Sequence, residues 1–202
     1  MTNRELHASA LMAFDQPYRL LGATAGMDEA GRGPLAGCVV AACVIMPEEP
    51  LILWVDDSKK LSESRREKVY DEIMGTALAV GIGEVGAKEI DRINILEATR
   101  KAMRIAADQV KGDIYLIDAV TGLGLEGREV PLIKGDASSY SIAAASIIAK
   151  VTRDRQMREL DKLYPEYGFI RNKGYGTAEH IAALRRIGPC PAHRRTFIGH
   201  FV

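Results

Sequence analysis

Four acidic residues lie among apolar residues or glycines, where solubility does not explain a carboxylate: Asp28, Glu29, Asp118 and Asp136. We expect Asp28 and Glu29 after one strand and Asp118 after another, so the acids could meet where strand ends gather at one edge of a sheet. Clustered carboxylates repel one another unless a cation lies between them. Oxygen ligands without histidine or cysteine favour Mg²⁺ or Mn²⁺ over zinc. Taken alone, each acid is more simply a helix cap, a turn residue or a surface charge.

As a set, the acids suit a site with two metal ions. Two ions about 3.5 to 4 Å apart can activate a water molecule and stabilise the leaving oxygen in phosphodiester cleavage. Because neighbouring residues of a regular strand point to opposite faces, Asp28 and Glu29 reach one metal only if the strand ends or bends there. Gly26, Gly31 and Gly33 make such a bend feasible.

Three further features could bind a nucleic acid. The sequence Gly31-Arg32-Gly33 lacks the spacing of a phosphate-binding loop, so it is either a tight turn or a backbone that approaches a sugar 2′-hydroxyl, with Arg32 directed at a phosphate. Lys59, in the sequence DSKK, either leads into a helix or contacts a phosphate. Tyr175 either stacks on a sugar or base or is half-buried in the protein.

Hydrophobic patterning predicts the strands and helices that must position these residues. The strands are predicted over 20–27, 39–45, 78–85 and 114–117, the first three antiparallel. The helices are predicted over 62–74, 94–110 and 141–163. Ser64 and Glu67 fit a capping box in the first helix. On the last helix, Arg153, Asp154, Arg155 and Arg158 are expected on the face opposite to the apolar one.

This order of elements indicates an α/β fold, with a mixed sheet flanked by helices and a helical C-terminal part over about 165–202. No linker divides the chain, so we expect one domain over 1–202, long enough to fold without disulfides or a structural metal. Its three cysteines include no CxxC pair, which is typical of a reducing cytosol. With neither a leader pattern nor a long apolar run, we expect a cytoplasmic protein that does not enter a membrane.

Charge is unevenly distributed along the chain. The net charge is zero, but residues 150–202 contain 11 Lys and Arg against 5 Asp and Glu. This surplus indicates either an anionic partner for the C-terminal part or a solvated helix face.

A series of strings, in a fixed order across nearly the whole chain, resembles bacterial ribonuclease HII. The strings are MDEAGRGPLAG, DSKKLS, IDRINILEATRKAM, YLIDA, IKGDASSYSIAAASIIAKVTRDRQM, YPEYGF, NKGYGTAEH and HRRTF. Only the first 15 or so residues and the segment TGLGLEGREV have no counterpart in the family pattern.

The resemblance implies a ribonuclease H-like fold and a nuclease that requires Mg²⁺ or Mn²⁺. Such an enzyme cuts the RNA strand of RNA/DNA hybrids and nicks duplex DNA on the 5′ side of an embedded ribonucleotide, leaving a 3′-hydroxyl and a 5′-phosphate. The family's four metal-binding acids correspond to Asp28, Glu29, Asp118 and Asp136.

The resemblance also assigns residues that contact the substrate. The turn that senses the 2′-hydroxyl corresponds to residues 31–33, and the tyrosine that packs on the neighbouring deoxyribose corresponds to Tyr175. We would look for phosphate contacts at Lys59, Lys150 and Arg153. Ala119 stands where many members have glycine, which leaves the carboxylate of Asp118 unaltered.

Other functions remain open at this point. Another nuclease of the same fold would differ in its choice of substrate, a nucleic-acid binding module would show no metal-dependent turnover, and an anion-binding metabolic enzyme would show no affinity for nucleic acid that depends on salt. Nothing in the sequence requires a partner subunit, so a monomer is expected. The basic C-terminal end is also a candidate site for a replication-associated protein partner.

Overall fold

The computed structural model describes residues 2–56, 58 and 61–202. Lys59 lies outside the described residues, so its predicted phosphate contact stays a prediction. No helix in the described ranges combines the length and the apolar character needed to cross a membrane.

A five-stranded mixed sheet forms the centre of the fold, with strand order β3-β2-β1-β4-β5. Strands β1, β2 and β3 are antiparallel, as predicted, whereas β4 and β5 run parallel to β1. The bounds are β1 Thr24–Ala30, β2 Val39–Ile45, β3 Ala79–Val85, β4 Ile114–Asp118 and β5 Arg128–Leu132. The predicted α/β class with a mixed sheet is therefore confirmed.

Helices cover both faces of this sheet and form the C-terminal region. Their bounds are α1 Asn3–Arg19, α2 Glu63–Thr76, α3 Ala87–Ile93, α4 Ile95–Asp108, α5 Tyr140–Leu163, α6 Phe169–Asn172, α7 Ala178–Ile187 and α8 Arg195–Ile198. Alternate residues of β2 face opposite ways: Ala42 and Val44 contact the α5 side, whereas Ala41 and Cys43 contact the α4 side. Because both faces of the sheet are covered, the residues on each side of β2 are buried, which explains why this strand is apolar throughout.

Helix α5 lies against the strand that contributes the first acid. Gly26 of β1 is so close to this helix that a Cβ atom there would overlap the backbone of Ser141 and Ile142. The glycine thus lets strand and helix approach, rather than bending the strand. Beyond the sheet, the C-terminal half of α5 joins a third buried cluster with residues such as Phe169 and Leu184.

The structure corrects several predicted bounds. The first strand is β1, not 20–27, because Leu20 caps α1 and is exposed. Pairing with β2 continues to Ala30, so Asp28 and Glu29 lie within the strand rather than after it. The N-cap of α2 is Ser62, whose side chain accepts from the Arg65 N–H, and not Ser64.

The charged face predicted for α5 is buried at two positions. Arg153 is buried because it binds the carbonyls of Ala36, Cys38 and Lys173, and Asp154 is buried between Lys150 and Arg66 of α2. Three elements were also missed: α1, α3 and β5. Asp15 fastens α1 to the core, since its buried Oδ2 accepts from the N–H of Ser141 at 2.8 Å, at the start of α5.

Candidate active site

Three of the four predicted acids meet at one point. Ligand atoms of Asp28, Asp118 and Asp136 all lie within 4.8 Å of one another. The sheet register produces this contact, because Met27 of β1 is opposite Ile117 of the parallel strand β4 and the next residue of each strand is the acid. Asp136 reaches the same point from a short 3-10 turn, Gly135–Ala137, that precedes α5.

The backbone around Asp118 holds this arrangement. Its Oδ1 accepts from the N–H of Gly135 at 2.7 Å, which ties the turn containing Asp136 to the end of β4. Directly after it, Ala119 has a φ of 52°. This is the left-handed region, where a side chain is strained and glycine is not. Ala119 thus occupies a conformation that suits the glycine found in many members.

Glu29 lies beside this group but not in it. Ala25 and Met27 contact the α4 side of the sheet, and alternation along β1 puts Glu29 on that same side, opposite to Asp28. Its carboxylate is not part of the three-acid group formed by the described residues. It nevertheless lines the same cavity, and its Oε1 lies 3.5 Å from NH1 of Arg32.

Electrostatics make the cluster a suitable place for a cation. Burial raises the pKa of Asp28 well above its usual value, and the charges of Glu29 and Asp118 raise it further. Hydrogen bonds from the Glu29 N–H and from Ser146 act in the opposite direction. A divalent ion would relieve this repulsion, and the oxygen-only donors fit Mg²⁺ or Mn²⁺.

A cavity of about 420 Å³ opens beside the acids. Most of the predicted substrate-contacting residues line it, together with Ser58 and Ser146, which the sequence reasoning missed; the predicted ones are Gly31, Arg32, Gly33, Lys150, Arg153 and Tyr175. The Tyr175 side chain is 48% exposed, so it is available to a ligand. The acids and the predicted sugar-sensing residues therefore share one site.

The turn over 31–33 depends on two buried arginines. Gly31 has a φ of 97°, and a Cβ atom there would overlap the side chain of Arg153. The Arg153 guanidinium donates to the carbonyls of Ala36, Cys38 and Lys173 at 2.9 to 3.1 Å. Arg194 donates to carbonyls of the same loop, which the sequence reasoning did not foresee although HRRTF was among the resembling strings.

The two remaining cations differ in exposure. Lys150 is partly exposed, and its Nζ donates to Asp154 at 2.7 Å, although burial lowers its pKa. Lys150 therefore offers a positive charge to the cavity. Arg153 is only 1% exposed and its donors are occupied by carbonyls, so the phosphate contact predicted for it has no support from this geometry.

Tyr175 is anchored through its backbone by a chain of buried side chains. Nδ1 of His180 lies 2.8 Å from the carbonyl of Tyr175, so this nitrogen is the donor. At the other end, the N–H of Cys190 donates to Nδ1 of His193 at 3.0 Å. The two Nε2 atoms are 2.9 Å apart, so His193 donates to His180 and both rings are neutral.

Comparison with known proteins identifies the family of the chain. A family model described as Ribonuclease HII matches residues 25–200. Ribonuclease HII of Acetivibrio thermocellus is 54% identical over 192 residues, which are 94% of this chain and 74% of that protein. Ribonuclease HII of Caldanaerobacter subterraneus subsp. tengcongensis is 57% identical over 176 residues, or 86% of this chain and 73% of that one.

Solved structures show the same fold. Ribonuclease H2 from Pyrococcus horikoshii OT3 superposes with a TM-score of 0.72 at 29% identity, covering 86% of this chain and 92% of that one. RNase HII of Archaeoglobus fulgidus, in a complex with PCNA, gives 0.74 at 26% identity, covering 88% and 96%. With a match over nearly its whole length and a cluster of oxygen ligands beside a cavity, the chain belongs to the ribonuclease HII family, whose members are metal-dependent ribonucleases H acting on RNA/DNA hybrids.

Proposed function

We propose that the chain also nicks duplex DNA on the 5′ side of an embedded ribonucleotide, with two metal ions, and so removes misincorporated ribonucleotides. The observation that carries this proposal is the shared cavity, in which Asp28, Glu29 and Asp118 lie beside the turn over 31–33 and Tyr175. An enzyme that needed only to cut long hybrids could select its substrate by helix shape. Recognition of a single ribonucleotide requires contact with one sugar.

In this proposal, Asp28, Asp118 and Asp136 hold the divalent ions, with Glu29 at the edge of the group. When bound, such ions lower the pKa of the attacking water and neutralise the departing 3′ oxygen, giving a 3′-hydroxyl and a 5′-phosphate. Asp118 also orients Asp136, because its Oδ1 holds the Gly135 N–H. The hydroxyl of Ser146, which donates to Oγ of Ser58 at 2.8 Å, also lowers the pKa of Asp28 and so favours its charged form.

Sugar selection belongs to the backbone of the turn. Gly33 leaves room for a sugar, since nothing but Tyr175 lies within 4 Å of a Cβ atom built on it, at 3.7 Å. The 2′-hydroxyl distinguishes RNA from DNA at this position, and a site built to bond it rejects a sugar that lacks it. The exposed ring of Tyr175 packs against the neighbouring sugar.

Two cations beside the cavity, Lys150 and Arg32, bind phosphate in this proposal. Lys150 is held in place by Asp154, and Arg32 lies on the turn itself. Lys59 is proposed for the same task from the sequence alone. Phosphate contacts of this kind position the duplex and carry no sequence information.

We further propose that residues 1–202 act as one catalytic domain and as a monomer. The support is that the C-terminal region completes the site: the N–H of Leu35 donates to the Gly174 carbonyl at 2.8 Å, and that of Arg194 donates to the Leu35 carbonyl at 2.8 Å. The helical C-terminal part therefore braces the substrate-sensing loop.

The test is a panel of end-labelled duplexes incubated with the protein and Mg²⁺ or Mn²⁺. The panel contains an RNA/DNA hybrid, a DNA duplex with one ribonucleotide and an all-DNA duplex of the same sequence. We expect cleavage of the hybrid, one nick 5′ of the ribonucleotide that leaves a 3′-hydroxyl, and no cleavage of the all-DNA duplex. Cleavage of the hybrid alone would overturn the single-ribonucleotide proposal.

A further inference from the structure

Arg194 is a completely buried cation whose guanidinium is bound by backbone carbonyls. Its exposure is 0%, and it forms no ion pair with any carboxylate of the described ranges. Burial lowers the pKa of the guanidinium to about 10, and the nearby Arg153 contributes to the shift. Burying a charged guanidinium costs free energy that an apolar side chain of similar size would not. We therefore looked for a role in the hydrogen bonds that Arg194 forms.

All the hydrogen bonds of the Arg194 guanidinium go to the loop that contains the turn. NH2 donates to the Gly31 carbonyl at 2.6 Å and NH1 to the Arg32 carbonyl at 2.9 Å. Nε and NH2 also donate to the Gly37 carbonyl, at 3.0 and 2.9 Å. Arginine suits this task because its planar group presents five N–H donors in a fixed fork, whereas lysine is a single charged point.

These bonds determine the direction of two amides. The peptide units between 31 and 33 are trans, and in a trans unit the C=O and the N–H point in opposite directions. With the Gly31 and Arg32 carbonyls directed at Arg194, the N–H groups of Arg32 and Gly33 point away from it. Among the described residues, neither N–H has an acceptor. Arg194 lies behind the turn, whereas the turn itself lines the cavity.

We propose that Arg194 is a positioning residue for sugar selection: by holding the carbonyls of Gly31 and Arg32, it presents the N–H groups of Arg32 and Gly33 to the ribose. This role rests on the proposed function, since it assumes that the turn senses a ribonucleotide. Arg194 touches neither the substrate nor the metal site. Its loss should therefore reduce discrimination between sugars more than it reduces metal binding or general affinity for DNA.

The test compares binding rather than cleavage. In an Asp118→Asn background, which prevents turnover, fluorescence anisotropy gives the affinity for a duplex with one ribonucleotide and for the all-DNA duplex. Arg194→Lys is compared with Arg195→Lys, the same change at an exposed neighbour whose guanidinium has no hydrogen bond to the loop. Circular dichroism and thermal melting establish that each variant is folded.

The preference is the ratio of the affinity for the ribonucleotide duplex to that for the all-DNA duplex. We expect Arg194→Lys to lower this ratio about tenfold for each amide hydrogen bond lost, with the affinity for all-DNA duplex unchanged. Arg195→Lys should leave both affinities unchanged. An unchanged preference, or an equal loss on both duplexes, would overturn the role. A protein with Arg194 intact that does not distinguish the duplexes would overturn the proposed function and this role together.

A second measurement covers the case in which Arg194→Lys does not fold. In Asp118→Asn protein labelled with ¹⁵N, the amide resonances of Arg32 and Gly33 are followed while each duplex is added. We expect both resonances to shift further with the ribonucleotide duplex than with all-DNA duplex. Identical shifts with the two duplexes would overturn the proposed presentation of these amides.

Discussion

At the residue scale, the carboxylate of Asp28 lowers the stability of the metal-free fold. Burial and the charges of Glu29 and Asp118 raise its pKa well above the usual value. A carboxyl whose folded pKa is raised contributes stability below its unfolded pKa, and this is lost as the pH rises through the folded pKa. The metal-free protein is thus less stable at neutral pH than it would be with a neutral side chain here.

Asp28→Asn should therefore stabilise the metal-free protein while it abolishes cleavage. We expect the free energy of unfolding in EDTA at pH 7 to rise by about 1 to 2 kcal/mol, the scale of relieving strain at a functional site. Denaturant unfolding measures this change. Loss of stability in EDTA would show that the repulsion among the acids is already compensated without a cation.

The two buried histidines predict how stability depends on pH. Burial and the neighbouring His180 lower the pKa of His193 to about 4, so the folded protein keeps it neutral while the unfolded chain binds a proton near pH 6.5. Stability is then fully present above pH 6.5 and falls as the pH drops towards 4, by about 3 kcal/mol from this residue.

His193→Gln should flatten the dependence measured by urea unfolding between pH 7 and 4. The same change at exposed His200 should leave the slope intact, and an unaltered slope in His193→Gln would contradict the assignment.

At the scale of elements, the site depends on close contact between β1 and α5. A Cβ atom on Gly26 would overlap the backbone of Ser141 and Ile142, which cannot move without displacing the start of α5. We expect Gly26→Ala to cost about 3 kcal/mol or more in the free energy of unfolding. Gly75→Ala is the matched control, because nothing lies within 4 Å of its added Cβ in α2 and alanine favours a helix by about 0.5 to 1 kcal/mol. Equal effects of the two changes on thermal melting would refute the close contact.

The connection after β4 carries a second backbone prediction. Ala119 has a positive φ, which costs a residue with a side chain about 1 to 2 kcal/mol, whereas glycine adds unfolded-state entropy of about 0.4 to 1 kcal/mol. Ala119→Gly should raise the free energy of unfolding by roughly 0.5 to 1 kcal/mol, the difference between these effects, without loss of cleavage. A measured decrease in stability would mean that the positive φ carries little strain.

Sequence patterning predicted those helices and strands in which the buried residues follow a regular apolar spacing. The alanines of α4 are buried as their helical spacing indicated, and β2 has the predicted bounds. The patterning failed where tertiary contacts decide. It missed α1, which Asp15 fastens to α5, and it ended the first strand before Asp28 because pairing with β2 extends the strand past the apolar run.

At the scale of the whole molecule, folding redistributes the charge seen along the chain. Part of the basic surplus in the C-terminal region is buried, as Arg153 and Arg194, and part is paired with α2, as where Arg158 donates to Glu63 and Glu67 at 2.7 Å. The distribution of charge along the sequence could not predict this. An arginine in the sequence looks the same whether its guanidinium is buried against carbonyls or exposed to solvent. The acids were predictable as a set because the order of parallel and antiparallel strands brings two of them to neighbouring positions.

The central claim is that the acid cluster holds the metal ions that cut the nucleic acid. The most direct test is the cleavage rate of an end-labelled duplex with one ribonucleotide, in Mn²⁺, for Asp118→Asn and for Asp108→Asn, an exposed acid at the end of α4. The Asp118→Asn side chain retains an oxygen acceptor for the Gly135 N–H, so the fold is kept while a charge is lost. We predict that Asp118→Asn and added EDTA each lower the rate by at least about 1,000-fold and that Asp108→Asn leaves it unchanged. A rate for Asp118→Asn within a few-fold of the unsubstituted protein would contradict the account.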